Sequence, residues 1–183
     1  MNRVLVMVLL CVFLLLPSLA VCDDNQSDWT GNLNLLVGTK MLNSDNWAPI
    51  DDQIEGGVLL DFRKKDWPVN VVVDFLYSYD DEEYYGFDVE ASDAELDLGV
   101  RKIFENRKFQ PFFGVGFSII WEKVEVSYLS DEETGFGVWL ESGVKYLITD
   151  HFSMGLNLRL STYRIDDEDM GGTHIGALLG YHW

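Results

Sequence analysis

The sequence predicts an all-β protein, an eight-stranded antiparallel up-and-down transmembrane β-barrel with short turns at one end and long acidic loops at the other. Three observations lead there. Apolar residues alternate with polar or small ones in segments of about ten residues, the period of a strand with two unlike faces. Beyond residue 22 no run of about 18 apolar residues exists, so no spanning helix is available. Short and long connections alternate strictly, as a meander with all its short turns at one end requires.

The segments follow in order. Leu33, Leu35, Val37, Thr39 and Met41 alternate with Asn34, Leu36, Gly38 and Lys40. Ile54, Val58, Leu60 and Phe62 alternate with Glu55, Gly57, Leu59 and Asp61. Val71, Val73, Phe75, Tyr77 and Tyr79 face away from Val72, Asp74, Leu76 and Ser78. Ala94, Leu96, Leu98 and Val100 oppose Glu95, Asp97, Gly99 and Arg101. Phe113, Val115, Phe117, Ile119 and Trp121 oppose Gly114, Gly116, Ser118, Ile120 and Glu122. Phe136, Val138, Leu140, Val144 and Tyr146 oppose Gly137, Trp139, Glu141, Gly143 and Lys145. Phe152, Met154, Leu156, Leu158 and Leu160 oppose Ser153, Gly155, Asn157, Arg159 and Ser161. Ile175, Ala177, Leu179, Tyr181 and Trp183 close the set against Gly176, Leu178, Gly180 and His182.

The connections 64–68, 105–108 and 149–151 are short, while 42–52, 80–93, 123–134 and 164–173 are longer and mostly acidic. Outer-membrane barrels show this asymmetry, with short periplasmic turns and longer extracellular loops. A soluble barrel would place the apolar class inside. Here that class is bulky throughout, and the opposite class is rich in Gly, which weakens a strand unless something needs the room. A narrow interior threaded by charged side chains needs it, so the bulky class faces lipid. Phe62, Phe113, Tyr146, Phe152, Tyr181 and Trp183 gather at the short-turn end, and Tyr77, Tyr79, Trp121 and Phe136 at the other. Two aromatic girdles at headgroup level are the expected result.

The first 20 residues read as a cleaved export signal: Arg3, an apolar run from Val4 to Leu16, then Pro17 and the small residues before Ala20. Cys22 offers a competing lipidation site, though Val21 is bulky where such signals carry Gly, Ala or Ser. Residues 21–31 are a lead-in and 32–183 the barrel. Beyond the signal the chain carries 12 basic and 31 acidic residues, a balance that excludes nucleic-acid binding. The only other cysteine, Cys11, lies within the signal, so stability comes from burial and backbone pairing.

The closing run 173–183 ends in Trp183, with Ile175, Ala177, Leu179 and Tyr181 at alternate positions before it. It resembles the C-terminal assembly signal of outer-membrane proteins, and from about Asn32 onward the chain resembles the eight-stranded OmpA-like and OmpX/OmpW-like barrels. The resemblance implies the bacterial outer membrane as location. It also implies the barrel assembly machinery, periplasmic chaperones, outer-membrane lipid and lipopolysaccharide as partners. The resemblance covers the barrel alone, so no peptidoglycan-binding domain of the OmpA kind is expected.

Charged residues on the inner face read as a plug of ion pairs, with an ion pathway as the alternative. Asp80, Asp81, Glu82 and Glu83, and again Asp166, Asp167, Glu168 and Asp169, are the candidates for divalent cations such as Ca²⁺ or Mg²⁺, although their spacing is not that of an EF-hand. Since some eight-stranded barrels modify lipid A, a nucleophile and base are also sought: His174 with Ser161, near Tyr163, is the best-placed set. His151 and Ser153 have the His-x-Ser spacing of lipid A deacylases but flank a short turn at the wrong end. The expectation is a non-enzymatic outer-membrane barrel without cofactor, contributing to envelope structure or to surface interaction through its acidic loops. A small channel or a lipid A-modifying enzyme is the alternative.

Overall fold

The computed structural model describes residues 28–43, 52–84, 87–126, 129–165 and 168–183. The export segment, Cys22 and most of the lead-in lie outside them. Eight strands follow one another: β1 (Trp29–Leu42), β2 (Asp52–Lys64), β3 (Asn70–Tyr84), β4 (Phe87–Ile103), β5 (Phe109–Val126), β6 (Leu129–Leu147), β7 (Phe152–Ile165) and β8 (Glu168–His182). Each pairs antiparallel with its neighbour, and β1 pairs with β8 to close the barrel. Closure leaves no unpaired edge along the wall, the condition for a sheet in hydrocarbon. The seam ends where Gly31 and Trp183 exchange backbone hydrogen bonds, each 3.2 Å, and Thr30 Oγ1 donates to the Trp183 carbonyl at 2.8 Å.

Register carries the alternation into space. Leu33 stands opposite Leu60 and Leu35 opposite Val58, all facing outward, while Asn34 meets Leu59 on the inside. A slip of one residue would turn every such side chain over. The outer face is apolar and open: Phe117 is 73% and Val37 69% exposed, and Leu156 63%. The inner face is buried and largely polar, from Asn32 and Asp61 through Arg101 and Glu141 to Lys40 and His174.

The short connections are tight. Trp67 N donates to Lys64 O at 2.8 Å, and Ile148 N to Phe152 O at 2.8 Å. Between β4 and β5, Arg107 takes the left-handed conformation, φ 53°, that closes the turn.

At the opposite end the structure corrects the sequence reading of long loops. β3 and β4 stay paired to Tyr84 and Phe87, β5 and β6 to Val126 and Leu129, and β7 and β8 to Ile165 and Glu168. The strands therefore run from 13 to 19 residues, well past the segments that alternate clearly. Backbone pairing needs no apolar face once both sides of a ribbon meet water, so the acidic stretches form hairpins while their hydropathy pattern fades. The connection between β1 and β2 lies mostly outside the described residues.

Candidate functional site: the plugged lumen and the two charged ends

Inside the barrel, Arg101 and Arg159 sit at the centre of an ion-pair lattice. Arg101 donates from Nη1 to Asp61 at 2.9 Å, from Nη2 to Asp74 at 2.9 Å and from Nε to Glu141 at 2.5 Å. Arg159 Nη2 donates to the second oxygen of Glu141 at 2.9 Å, and its guanidinium also pairs with Asp74 and Asp97. Glu141 thus joins both guanidinium groups and accepts from Asn157 Nδ2 at 3.0 Å. Nearer the hairpin end, Lys40 pairs with Asp93 at 2.9 Å and with Glu95. These pairs link β1, β2, β3, β4, β6 and β7 across the lumen. Charges that are paired and hydrogen-bonded are the form in which a narrow interior can hold them.

Large side chains complete the plug. The Arg159 guanidinium lies 4.7 Å from the centre of the Trp139 ring, and Arg101 lies 5.4 Å from that of Phe112. A Cβ at Gly99, Gly114 or Gly116 would come within 2.6, 2.9 or 2.7 Å of the Trp139 ring. Those three glycines are the room the indole requires, which accounts for their place on the inner face. Below them, the gap lined by Asn34, Leu59, Arg101, Phe112, Lys145 and Leu178 is too tight to admit a water molecule.

The plug is not charge-balanced. Among the described residues, the buried carboxylates are Glu55, Asp61, Asp74, Asp93, Glu95, Asp97, Glu122 and Glu141, against the bases Lys40, Arg101, Lys145 and Arg159. The surplus lies toward the hairpin end, where Glu122 stands in register between Asp93 and Glu133.

His174 and Ser161 come together as their parity requires. His174 Nε2 is 2.9 Å from Ser161 Oγ, and its Nδ1 is 2.6 Å from Glu55 Oε1. An ionised carboxylate only accepts, so in the neutral ring Nδ1–H donates to Glu55 and Nε2 accepts from the Ser161 hydroxyl. This is the connectivity of a nucleophile, base and orienting carboxylate. Glu55 is the member that sequence reasoning missed: it lies 119 residues from His174, on β2, and only barrel closure brings it near. Its inward parity was the one available signal. All three side chains are buried, Ser161 6% exposed and the others 1%, and the Ile120–Tyr163 cluster with Met170 packs toward the same end. In that setting the trio ties β2, β7 and β8 together. Tyr163 joins neither His174 nor Ser161; its ring lies 5.4 Å from Lys40 Nζ.

His151 and Ser153 do not meet. His151 stacks on Tyr181 with ring centres 5.8 Å apart and contacts the His182 carbonyl, whereas Ser153 points into the lumen. The cation candidates fall on two separate hairpins. Asp80, Asp81, Glu82 and Glu83 belong to β3, with Asp81 opposite Glu90, and Glu168 and Asp169 to β8 opposite Ile165 and Arg164. The side chains of Glu82, Glu83, Glu168 and Asp169, and the whole of Asp166 and Asp167, lie outside the described residues. Among the described residues no group of three or more His, Cys, Asp or Glu is arranged to hold a metal ion. Ile175, Ala177, Leu179 and Tyr181 all point outward from β8, ahead of Trp183 at the seam.

The two ends differ in charge. The segments 42–52, 80–93, 123–134 and 164–173 hold 18 carboxylates and only two bases, Lys123 and Arg164. Around the short turns stand Arg63, Lys64, Lys65, Lys102, Arg107 and Lys108. Aromatic rings accompany those bases: Trp29 against Trp67 at 5.5 Å, Phe104 against Phe113 at 6.3 Å, and Phe109 against Tyr146 at 5.1 Å.

Residues 7–182 match the family described as "Outer membrane protein beta-barrel domain". No curated protein sequence matches the chain. Among solved structures, Neisserial surface protein A is similar with a TM-score of 0.60 and 12% identity, over 85% of this chain and 97% of that one. Ail of Yersinia pestis, crystallised with the heparin analogue sucrose octasulfate, gives 0.58 and 14% over 86% and 100%. The N-terminal barrel of Pseudomonas aeruginosa OprF gives 0.51 and 13% over 84% and 99%. At these identities the likeness is one of fold.

Proposed function

Since the chain belongs to the outer membrane protein β-barrel domain family, and so to barrels of the bacterial outer membrane, we propose that it is exported by its N-terminal segment and acts there as a non-enzymatic envelope protein. Its short turns face the periplasm and its acidic hairpins face outward. The observation that carries this reading is the plugged lumen. Arg101, Arg159, Trp139 and Phe112 fill the interior, which speaks against a solute pore. Burial of Ser161, His174 and Glu55 speaks against turnover of a lipid substrate. Apart from the lipid-facing wall, what remains accessible among the described residues is the surface at the two ends.

Ail, in its complex, holds a polysulfated heparin analogue. The hairpin end here, with 18 carboxylates to two bases, would repel such a ligand and suits cations instead. It would also repel lipopolysaccharide phosphates unless divalent ions stood between. Thermal unfolding in detergent with Ca²⁺, Mg²⁺ or NaCl at equal ionic strength tests this. The divalent salts should raise the melting temperature more than NaCl does. Changing Asp80, Asp81, Glu82 and Glu83, or Asp166, Asp167, Glu168 and Asp169, to Asn and Gln should reduce that difference. Equal melting in all three salts would leave the hairpins as solvated surface and overturn the cation reading.

A further inference from the structure

The basic residues outside the lumen are not spread over the molecule. Of the 12 bases beyond residue 22, six lie around two adjacent short turns: Arg63, Lys64 and Lys65 at one, Lys102, Arg107 and Lys108 at the other. Two contacts hold these turns side by side. Arg63 pairs with Glu105, and Lys102 Nζ donates to the Pro68 carbonyl at 2.6 Å. The acids nearby are Asp28, 4.0 Å from Lys64, with Asp66 and Glu105. The patch therefore carries a net positive charge on a chain whose total is −18.

Position decides what such a patch meets. Lys64 and Lys102 continue the outward-facing rows that contain Phe62 and Val100, so both extend from the apolar wall. Trp29, Phe62 and Trp67 pack together at the same level, with Trp29 and Phe62 centres 6.1 Å apart, and Lys108 Nζ lies 5.9 Å from the Tyr146 ring. Apolar stems and rings at the edge of the hydrocarbon, with ammonium heads just beyond it, match a bilayer's headgroup layer. A soluble polyanion would require the bases alone; lysines interleaved with interfacial aromatics fit a lipid that is both anionic and apolar.

We propose that this basic and aromatic belt at the short-turn end binds the phosphate groups of anionic phospholipids. Under the orientation proposed above, these are lipids of the periplasmic leaflet. The belt fixes the depth of that end in the membrane and draws negative headgroups to it.

The test uses the full mature barrel reconstituted in phosphatidylcholine vesicles without lipopolysaccharide or divalent ions. Spin-labelled phosphatidylglycerol and phosphatidylcholine report lipid association by electron paramagnetic resonance. The anionic lipid should be preferred by about twofold averaged over the lipid shell, because attraction acts near the basic turns and fades within a Debye length. About 0.5 M NaCl should erase the preference. The Lys64→Gln, Lys65→Gln, Lys102→Gln and Lys108→Gln combination should erase it at low salt. Heat-modifiability on gels checks that the variant is folded. If the combined variant does not fold, the pair Lys64→Gln and Lys102→Gln should lower the preference by itself. Equal association of both lipids with the native barrel, or a preference unchanged in a folded variant, would overturn the proposal. Symmetric vesicles make this result independent of the barrel's orientation and of any cation role for the hairpins.

Discussion

Glu141 and Glu122 are both buried glutamates of the lumen, yet their surroundings assign them opposite weights. Glu141 binds Arg101 and Arg159 and accepts from Asn157. Glu122 stands between Asp93 and Glu133 in register, with its Oε2 unpartnered. Breaking a buried pair from one side leaves a charge without compensation, at a cost of about 3–5 kcal/mol. Glu141→Gln should therefore destabilise the barrel by about that amount. Glu122→Gln removes a like-charge contact and should leave stability unchanged or raise it, by up to about 1 kcal/mol. Urea unfolding of both variants in detergent reads the contrast; equal losses would mean that the lattice around the two arginines has no special weight. The outer face has its own residue test. Leu156 is 63% and Val115 52% exposed on the apolar wall. Arg at either should cost about 2–4 kcal/mol in a bilayer. A neutral result at both sites would reverse the faces.

Among the elements, β8 carries the most local information. Its outward residues Ile175, Ala177, Leu179 and Tyr181 lead to Trp183, whose backbone locks to Gly31 and closes the ring. Trp183→Ser, or deletion of Tyr181, His182 and Trp183, should impair assembly in cells and lead to degradation, followed by immunoblotting of membrane fractions. Normal assembly of both would remove the terminal signal while leaving the barrel intact. The strands themselves were legible because one face meets lipid and the other a crowded lumen, so period two is enforced residue by residue from Leu33 to Tyr181. Above Tyr79 and Trp121 that enforcement ends. Asp80 to Glu83 and Asp131 to Glu133 read as loop because their charges obey no alternation, although their backbones remain paired. The Ser161–His174 contact could be read from neighbouring parity across one hairpin. Glu55 could not be assigned to it, because the stagger between β8, β1 and β2 is a property of the closed ring.

At the scale of the whole molecule, charge is sorted into three zones: an acidic hairpin end, a lumen in which, among the described residues, eight buried carboxylates face four bases, and a basic belt at the short turns. An eight-stranded barrel has an interior just wide enough for side chains to fill, and here Trp139, Phe112, Arg101 and Arg159 fill it. The function proposed above therefore rests on the ends and not on the interior. The most direct measurement of this account is ionic current through the folded, heat-modifiable protein in a planar phospholipid bilayer. The native barrel should carry no steady current. The double change Trp139→Ala and Arg159→Ala, which removes the stacked pair at the centre of the plug, should produce a measurable conductance. A steady ohmic current through the native protein would contradict a plugged lumen and favour the alternative reading, an ion pathway.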